Sequence, residues 1–314
     1  MDQAEQLRAL IKQQAKEEKL NREKLNKDNK ISDEKNKKMA KVITITSGKG
    51  GVGKTSIAIN LAMQIAAMNK KVIIIDADMG LANVEVMLGI RPKYDLGDIM
   101  YGDMKLSDVI TEGPMGIGFV SGGSGIHELN NLTHEQIENM TDRLYELDEL
   151  ADYVIVDTGA GISDTIMQFV KVSSQVLVVT TPEPTSITDA YAVLKGLNRV
   201  LAQLDGTSIK MISNRVGGHK EGEILYNKLN SVVEKFLDIK LEYLGEIVQD
   251  NNLAKGILNQ QPVSVTNPNS SSVKTIKILA DKLLNENSVY EKKGMSALFT
   301  QFITGGLLLK KGEN

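Results

Sequence analysis

The chain of 314 residues carries 37 lysines and arginines against 40 aspartates and glutamates, a formal net charge of -3. Mild acidity argues against wholesale nucleic-acid binding, the absence of cysteine removes disulfides and thiolate-held iron-sulfur clusters, and no run approaches the ~18 apolar residues of a membrane span. The histidines, His127, His134 and His219, show no metal-ligand spacing, and the amino terminus MDQAEQLRAL lacks the order of a secretory signal, so a soluble cytoplasmic protein is expected.

Residues 2–40 are dense in Lys, Glu and Asn and almost free of β-branched and aromatic residues, a composition that does not build a core. Within them Leu7, Leu10, Ile11 and Gln14 recur at helical spacing behind the candidate cap Asp2, which predicts a short helix followed by a basic tether over 20–40. From Lys41 the pattern changes to short β-branched runs separated by longer amphipathic ones. Strands are expected at 42–46, 72–76, 117–121, 153–157, 175–180, 210–213 and 242–247, and helices at about 54–68, 133–149, 163–172, 185–204, 221–236, 251–259 and 272–285. That alternation implies an α/β fold with a mainly parallel, doubly wound sheet, and ligands at the carboxyl ends of its strands. The chain then divides into an appendage at 1–40, a core domain at 41–290 and a carboxyl-terminal appendage at 291–314. In the last of these, Met295, Leu298, Phe299, Phe302, Ile303 and Gly306 follow helical spacing, Leu307 and Leu309 extend the apolar surface, and Lys292, Lys293, Lys310 and Lys311 flank it. Such a helix suits an anionic membrane interface, with Gly305 and Gly306 weakening its last turn, and docking on the core is the competing reading.

The segment SGKGGVGKTS at 47–56 fits two patterns. Gly48, Gly50 and Gly53 match a dinucleotide fingerprint, with Asp76 at the distance of a ribose-binding carboxylate, while Gly48, Gly53, Lys54 and Thr55 match a phosphate loop. Lys54 and Thr55 decide for the second, because a lysine at a helix start serves β- and γ-phosphates and a hydroxyl suits Mg2+, neither of which a dinucleotide needs. The amides of residues 50–55, from Gly50 through Gly51, Val52 and Gly53 to Thr55, with Ser56 behind them, are expected to cradle the anion. Asp76, Asp78 and Asp157 fall at or just past strand ends, where Thr55, Asp76, Asp78 and Asp157 can serve the metal directly or through water. Asp157, ending its apolar run, suits the metal's outer shell; Asp78, two residues past its strand, is better placed to orient the attacking water. Gly159 and Gly161 permit a loop that senses the γ-phosphate.

KGGVGKT at 49–55, DADMGLAN at 76–83 and DTGAGI at 157–162 resemble the deviant Walker A, switch I and switch II motifs of the MinD/ParA ATPases over residues 41–285. The resemblance implies a P-loop NTPase fold, ATP and Mg2+ as ligands, and a homodimer in the ATP state. It also implies that Lys49 crosses the dimer interface to the partner's phosphates, as an arginine finger would, so that Lys49 and Asp78 are the catalytic pair. Asn214 and Arg215 match the family's adenine-contacting Asn-Arg, and PEPTSITDA at 182–190, with Asp189, matches a segment that faces the partner subunit or regulators. Thr158 and Gly159 stand where the cell-division members have Ser-Pro.

Asp2, Gln3, Ala4, Leu7 and Arg8 resemble the DQAxxLR motif of the FlhG (YlxH, FleN) branch, MinD-like ATPases that control flagellar number and position. That resemblance implies stimulation of an FlhF-like, SRP-type GTPase, with Gln3 completing the partner's catalytic site. Flagellar basal-body components are the further partners it implies. Leu298, Phe299, Phe302, Ile303 and Leu307 would hold the protein at the inner face of the cell membrane in the ATP state. A MinD-type division-site ATPase and a ParA-type DNA or cargo segregation ATPase are the alternatives. The segregation reading requires a basic surface strip and no membrane helix. A metabolic or electron-transfer enzyme of the same fold is a third reading, its iron-protein version disfavoured by the absence of cysteine.

Overall fold

A computed structural model describes residues 39–78, 83–101, 104–123, 146–201, 206–285 and Met295. Eight strands, β1 (Lys41–Ser47), β2 (Val72–Ala77), β3 (Thr111–Glu112), β4 (Gly118–Ser121), β5 (Tyr153–Ala160), β6 (Gln175–Thr180), β7 (Ser208–Val216) and β8 (Leu241–Val248), form one sheet in the order β3-β4-β2-β5-β1-β6-β7-β8. Every neighbouring pair is parallel except β3 with β4. β1, β2 and β6 are buried at every position, which parallel strands covered on both faces require.

The helices are α1 (Lys54–Ala66), α2 (Asn83–Leu88), α3 (Leu96–Tyr101), α4 (Leu106–Val109), α5 (Asp164–Val172), α6 (Pro184–Leu201), α7 (His219–Phe236), α8 (Asn251–Leu258), α9 (Val263–Thr266) and α10 (Ser271–Asn285), and residues 146–150 are also helical. On one face α1 packs between the sheet and α10, with Ile57, Leu61 and Ile65 meeting Ile43, Ile74, Ile276 and Leu283. α1 is buried nearly all round because both of its sides are covered, each large buried apolar side chain contributing roughly 1.5–3 kcal/mol. Its two buried amides are answered by α9: the Ser264 N–H donates to Asn60 Oδ1 at 3.0 Å and Gln64 Nε2 donates to Ser264 Oγ at 3.1 Å. On the other face α5, α6 and α7 cover β6 and β7 through Val170, Val193, Leu194, Leu197 and Leu229.

The seven strands expected from the β-branched runs are present, several of them longer. β7 runs on to Val216, so Asn214 and Arg215 lie inside the strand and do not follow it. β5 likewise continues past Asp157 to Ala160, and Asp78 stands one residue beyond β2. β3 and the short helices α2, α3, α4 and α9 were not expected, and the helix anticipated over 133–149 falls within the described residues only at its end. The expected helix at 2–14, and all of that at 295–309 except Met295, lie outside the described residues. Met295, the first apolar residue of the terminal stripe, is 1% exposed; it packs with Leu147, Ala151 and Val154, and its N–H donates to Asp148 Oδ1 at 2.9 Å. Among the described residues no helix is long and apolar enough to cross a membrane.

Candidate active site

The turn from β1 into α1 is built by glycines that the backbone requires. Gly51 (φ 76°) and Gly53 (φ 98°) are left-handed, and a Cβ on Gly53 would come 2.7 Å from Asn214 Nδ2. α1 starts at Lys54 with no side-chain cap, so its first amides remain available to an anion at the positive end of the helix. Lys54 and Thr55 are buried at this point, a placement that concentrates charge and hydroxyl on whatever the loop encloses.

Two residues of β7 hold the loop in shape. Asn214 Nδ2 donates to the Val52 carbonyl at 2.7 Å and Arg215 Nη2 donates to the Gly51 carbonyl at 2.7 Å. Asn214 Oδ1 is buried without a hydrogen-bond partner, which leaves an acceptor for an amino group. At the loop's start Ser47 Oγ donates to the Lys49 carbonyl at 2.8 Å, and Gly48 lies against α6 so closely that a Cβ would stand 2.1 Å from the Asp189 backbone.

Lys49 reaches sideways, its Nζ 2.8 Å from Glu183 Oε2 and 3.2 Å from Thr185 Oγ1 at the start of α6. The hydrogen bond and the charge of Lys49 hold the Glu183 carboxyl below the usual carboxylate range. Water competes for this exposed pair, so little opposes its exchange for another anion.

The acidic residues gather where β2 and β5 run side by side, with Asp76 and Asp157 in register. Asp157 is fully buried and no donor forms a well-directed hydrogen bond to either carboxylate oxygen. Burial pushes its carboxyl up to about 7; the nearby Thr55 hydroxyl offsets part of this, Asp76 adds to it and Lys54 opposes it. Asp76 is raised to about 6, again by burial first, against the N–H groups of Val84 and Asp78, which donate to it at 3.0 and 3.2 Å. Asp78 accepts from Asn83 Nδ2 at 2.7 Å, and a Cβ on Gly159 would stand 2.8 Å from Asp78 Oδ1, so the two acidic loops touch. Thr158 Oγ1 donates to the Ile45 carbonyl, and the N–H of Gly161 (φ 92°) to the Ser47 carbonyl at 2.9 Å.

This donor set fits Mg2+. Hard cations take oxygen ligands, and an orphaned buried carboxylate beside a threonine hydroxyl supplies them together with the compensating charge demand. Among the described residues no three His, Cys, Asp or Glu side chains form a metal cage. The structure thus brings together Gly48 to Ser56, Asp76, Asp78, Asp157, Asn214 and Arg215. Asp2, Gln3, Leu7 and Arg8, and the apolar residues from Leu298 to Leu307, lie outside the described residues. Sequence reasoning missed the hold of Glu183 and Thr185 on Lys49; the signal available was PEPT directly after β6, once β6 is known to adjoin β1.

The ParA family model, described as "NUBPL iron-transfer P-loop NTPase", matches residues 38–284. Antiactivator FleN of Pseudomonas aeruginosa is 39% identical over 242 residues, covering 77% of this chain and 85% of the relative. The flagellum site-determining protein YlxH of Helicobacter pylori is 34% identical over 274 residues, covering 85% and 91%. Among solved structures, the MinC:MinD cell division protein complex of Aquifex aeolicus matches with a TM-score of 0.62 at 27% identity, covering 81% of this chain and all of that one. The septum site-determining protein MinD of Pyrococcus horikoshii, complexed with Mg-ADP, matches with a TM-score of 0.61 at 25% identity, covering 79% and 97%.

Proposed function

This chain belongs to the ParA/MinD family of P-loop ATPases, and from that premise we propose that it is an ATP-dependent dimerising switch that binds the membrane and regulates flagellar number and placement. One observation carries the nucleotide-dependent part: the uncapped start of α1, Lys54, Thr55 and the orphaned Asp157 carboxylate converge at the carboxyl edge of the sheet. The amides of the loop and Lys54 hold the phosphates, while Asn214 Oδ1 accepts from the exocyclic amine of adenine. Thr55, with Asp76 and Asp157 behind it, would hold Mg2+, which when bound would supply countercharge to the phosphates. Asp78, fixed by Asn83 and set against Gly159, orients the attacking water.

Lys49 exchanges Glu183 for the phosphates of ATP bound to a second copy of the chain, so hydrolysis follows dimerisation. The flagellar part of the reading is supported by the relatives named for flagellar control and by the amino-terminal DQAxxLR match, through which an FlhF-like GTPase is engaged. Basal-body components are the further partners. A cysteine-held iron cargo is not part of the reading, because the chain has no cysteine.

Co-sedimentation with anionic liposomes tests the switch. With ATP the full chain should pellet at least about tenfold more than with ADP, since two apolar segments on one dimer bind cooperatively. Deleting residues 296–314, which spares the core contact of Met295, should abolish the difference. Equal sedimentation in both nucleotides would remove membrane switching from the function.

A further inference from the structure

The segment between β5 and α5 is fixed at three points. Gly161 donates its N–H to Ser47 at the root of the phosphate loop, Ser163 Oγ accepts from the Ile166 N–H and caps α5, and between them Ile162 lies across α6. Ile162 is 51% exposed, although it is one of the large apolar residues of this part of the chain. Its seat is Gly196, in the interior of α6. A Cβ built on Gly196 would stand 3.0 Å from Ile162 Cδ1, 3.1 Å from Cγ2 and 3.4 Å from Cγ1, and these are the three nearest atoms it would meet.

Glycine within a helix is a poor choice for the helix itself, since alanine preserves the backbone and loses less entropy. Among the described residues the atoms nearest to that position all belong to Ile162, not to a neighbouring helix or strand, so the glycine answers to Ile162 first. The same helix supports the phosphate loop at its other end, through Asp189 beneath Gly48 and through Glu183 and Thr185 at Lys49.

We propose that Gly196 is a socket for Ile162 through which α6 sets the position of the Asp157–Gly161 segment relative to the phosphate loop, making Ile162 and Gly196 positioning residues for ATP turnover. The inference deepens the ATPase reading and rests on it. Asp78 Oδ1 lies 2.8 Å from where a Cβ on Gly159 would stand, so a shift of the segment on α6 is delivered to the carboxylate assigned to the attacking water. A half-exposed isoleucine over a bare stretch of helix gives a seat that holds the segment without fixing it permanently, as a nucleotide-sensing loop requires.

The test compares full-length wild type, Gly196→Ala, Ile162→Ala and the double variant for ATP affinity, kcat, KM and Tm. Gly196→Ala should lower kcat about tenfold, the scale of a few tenths of an ångström of misplacement, with ATP affinity within about twofold of wild type. Ile162→Ala should lose less, and adding Gly196→Ala to it should cost nothing further, because the atom that clashes is gone. Wild-type kcat with a raised Tm in Gly196→Ala, the result for a helix glycine without a role, overturns the proposal. Multiplicative losses in the double variant overturn it as well. A wild-type chain that neither binds nor hydrolyses ATP would instead defeat the underlying ATPase reading, so the two failures are told apart.

Discussion

A charged Asp157 has no well-directed donor to answer it once water is excluded, and this sets a sign for the pH dependence of the nucleotide-free protein. Its folded carboxyl titrates at about 7 against 3.8 for an exposed aspartate, so the unfolded chain gives up its proton first. Stability from this group is therefore full below the unfolded value and is lost as pH rises towards and through 7; Asp76, raised to about 6, acts in the same direction. Without nucleotide, Asp157→Asn should raise Tm more at pH 8 than at pH 5, by about 5 °C. Scanning calorimetry at the two pH values is the check, and equal shifts would mean that no buried charge is being relieved. Adding Mg-ATP should narrow the gap by supplying the missing countercharge. The types and order of these residues were readable along the chain because a phosphate loop concentrates its chemistry in ten consecutive positions. The isolation of Asp157 was not, because it depends on which strands flank β5, and neither was the seat of Ile162 on Gly196, which lies 34 residues away along the chain.

At the scale of elements, α6 is where sequence reading fell short most usefully. Its periodicity announces a helix, and PEPTSITDA marks its start, but only the adjacency of β6 and β1 brings that start beside Lys49. The core strands were readable because β-branched runs buried on both faces need no partner to be recognised. β3 has two residues, and α4 and α9 have four each, too short for a helical period to declare itself. The contact of α6 with Lys49 competes with the trans role assigned to that lysine. Glu183→Gln removes one of the two anchors' charge while leaving the Thr185 hydroxyl, so the lysine is freed without altering the loop. Half-maximal ATP-dependent dimerisation should then occur at a protein concentration lower by about twofold to fivefold, the scale set by a surface ion pair. Light scattering across a dilution series reads this directly. Unchanged or weaker dimerisation would assign Glu183 to orienting Lys49 for its partner in place of restraining it.

At the scale of the whole molecule, the ATPase fold begins at Lys41 and the DQAxxLR match ends at Arg8, with a charged tether between them in the sequence. The proposed partner role of the amino-terminal motif draws on residues 2–8 alone and names none of the nucleotide-site residues. If residues 2–14 form a helix on an SRP-type GTPase, the Gln3 amide can orient the water that attacks GTP, as glutamines do in other GTPases. If so, the role is separable from ATP, and a synthetic peptide of residues 1–23 should stimulate GTP hydrolysis by the cognate partner about a hundredfold or more, the lower range of what a completed catalytic site supplies. Its Gln3→Ala version should bind within about threefold yet stimulate little, because it removes only the amide proposed to orient the water and keeps Leu7 and Arg8 of the motif. Titration calorimetry measures the binding and phosphate release measures the rate. Equal stimulation by both peptides would take Gln3 out of the mechanism. Failure of both to bind would leave the ATPase fold and its site untouched and would take the GTPase out of the proposed function, leaving the flagellar reading to the relatives named for flagellar control.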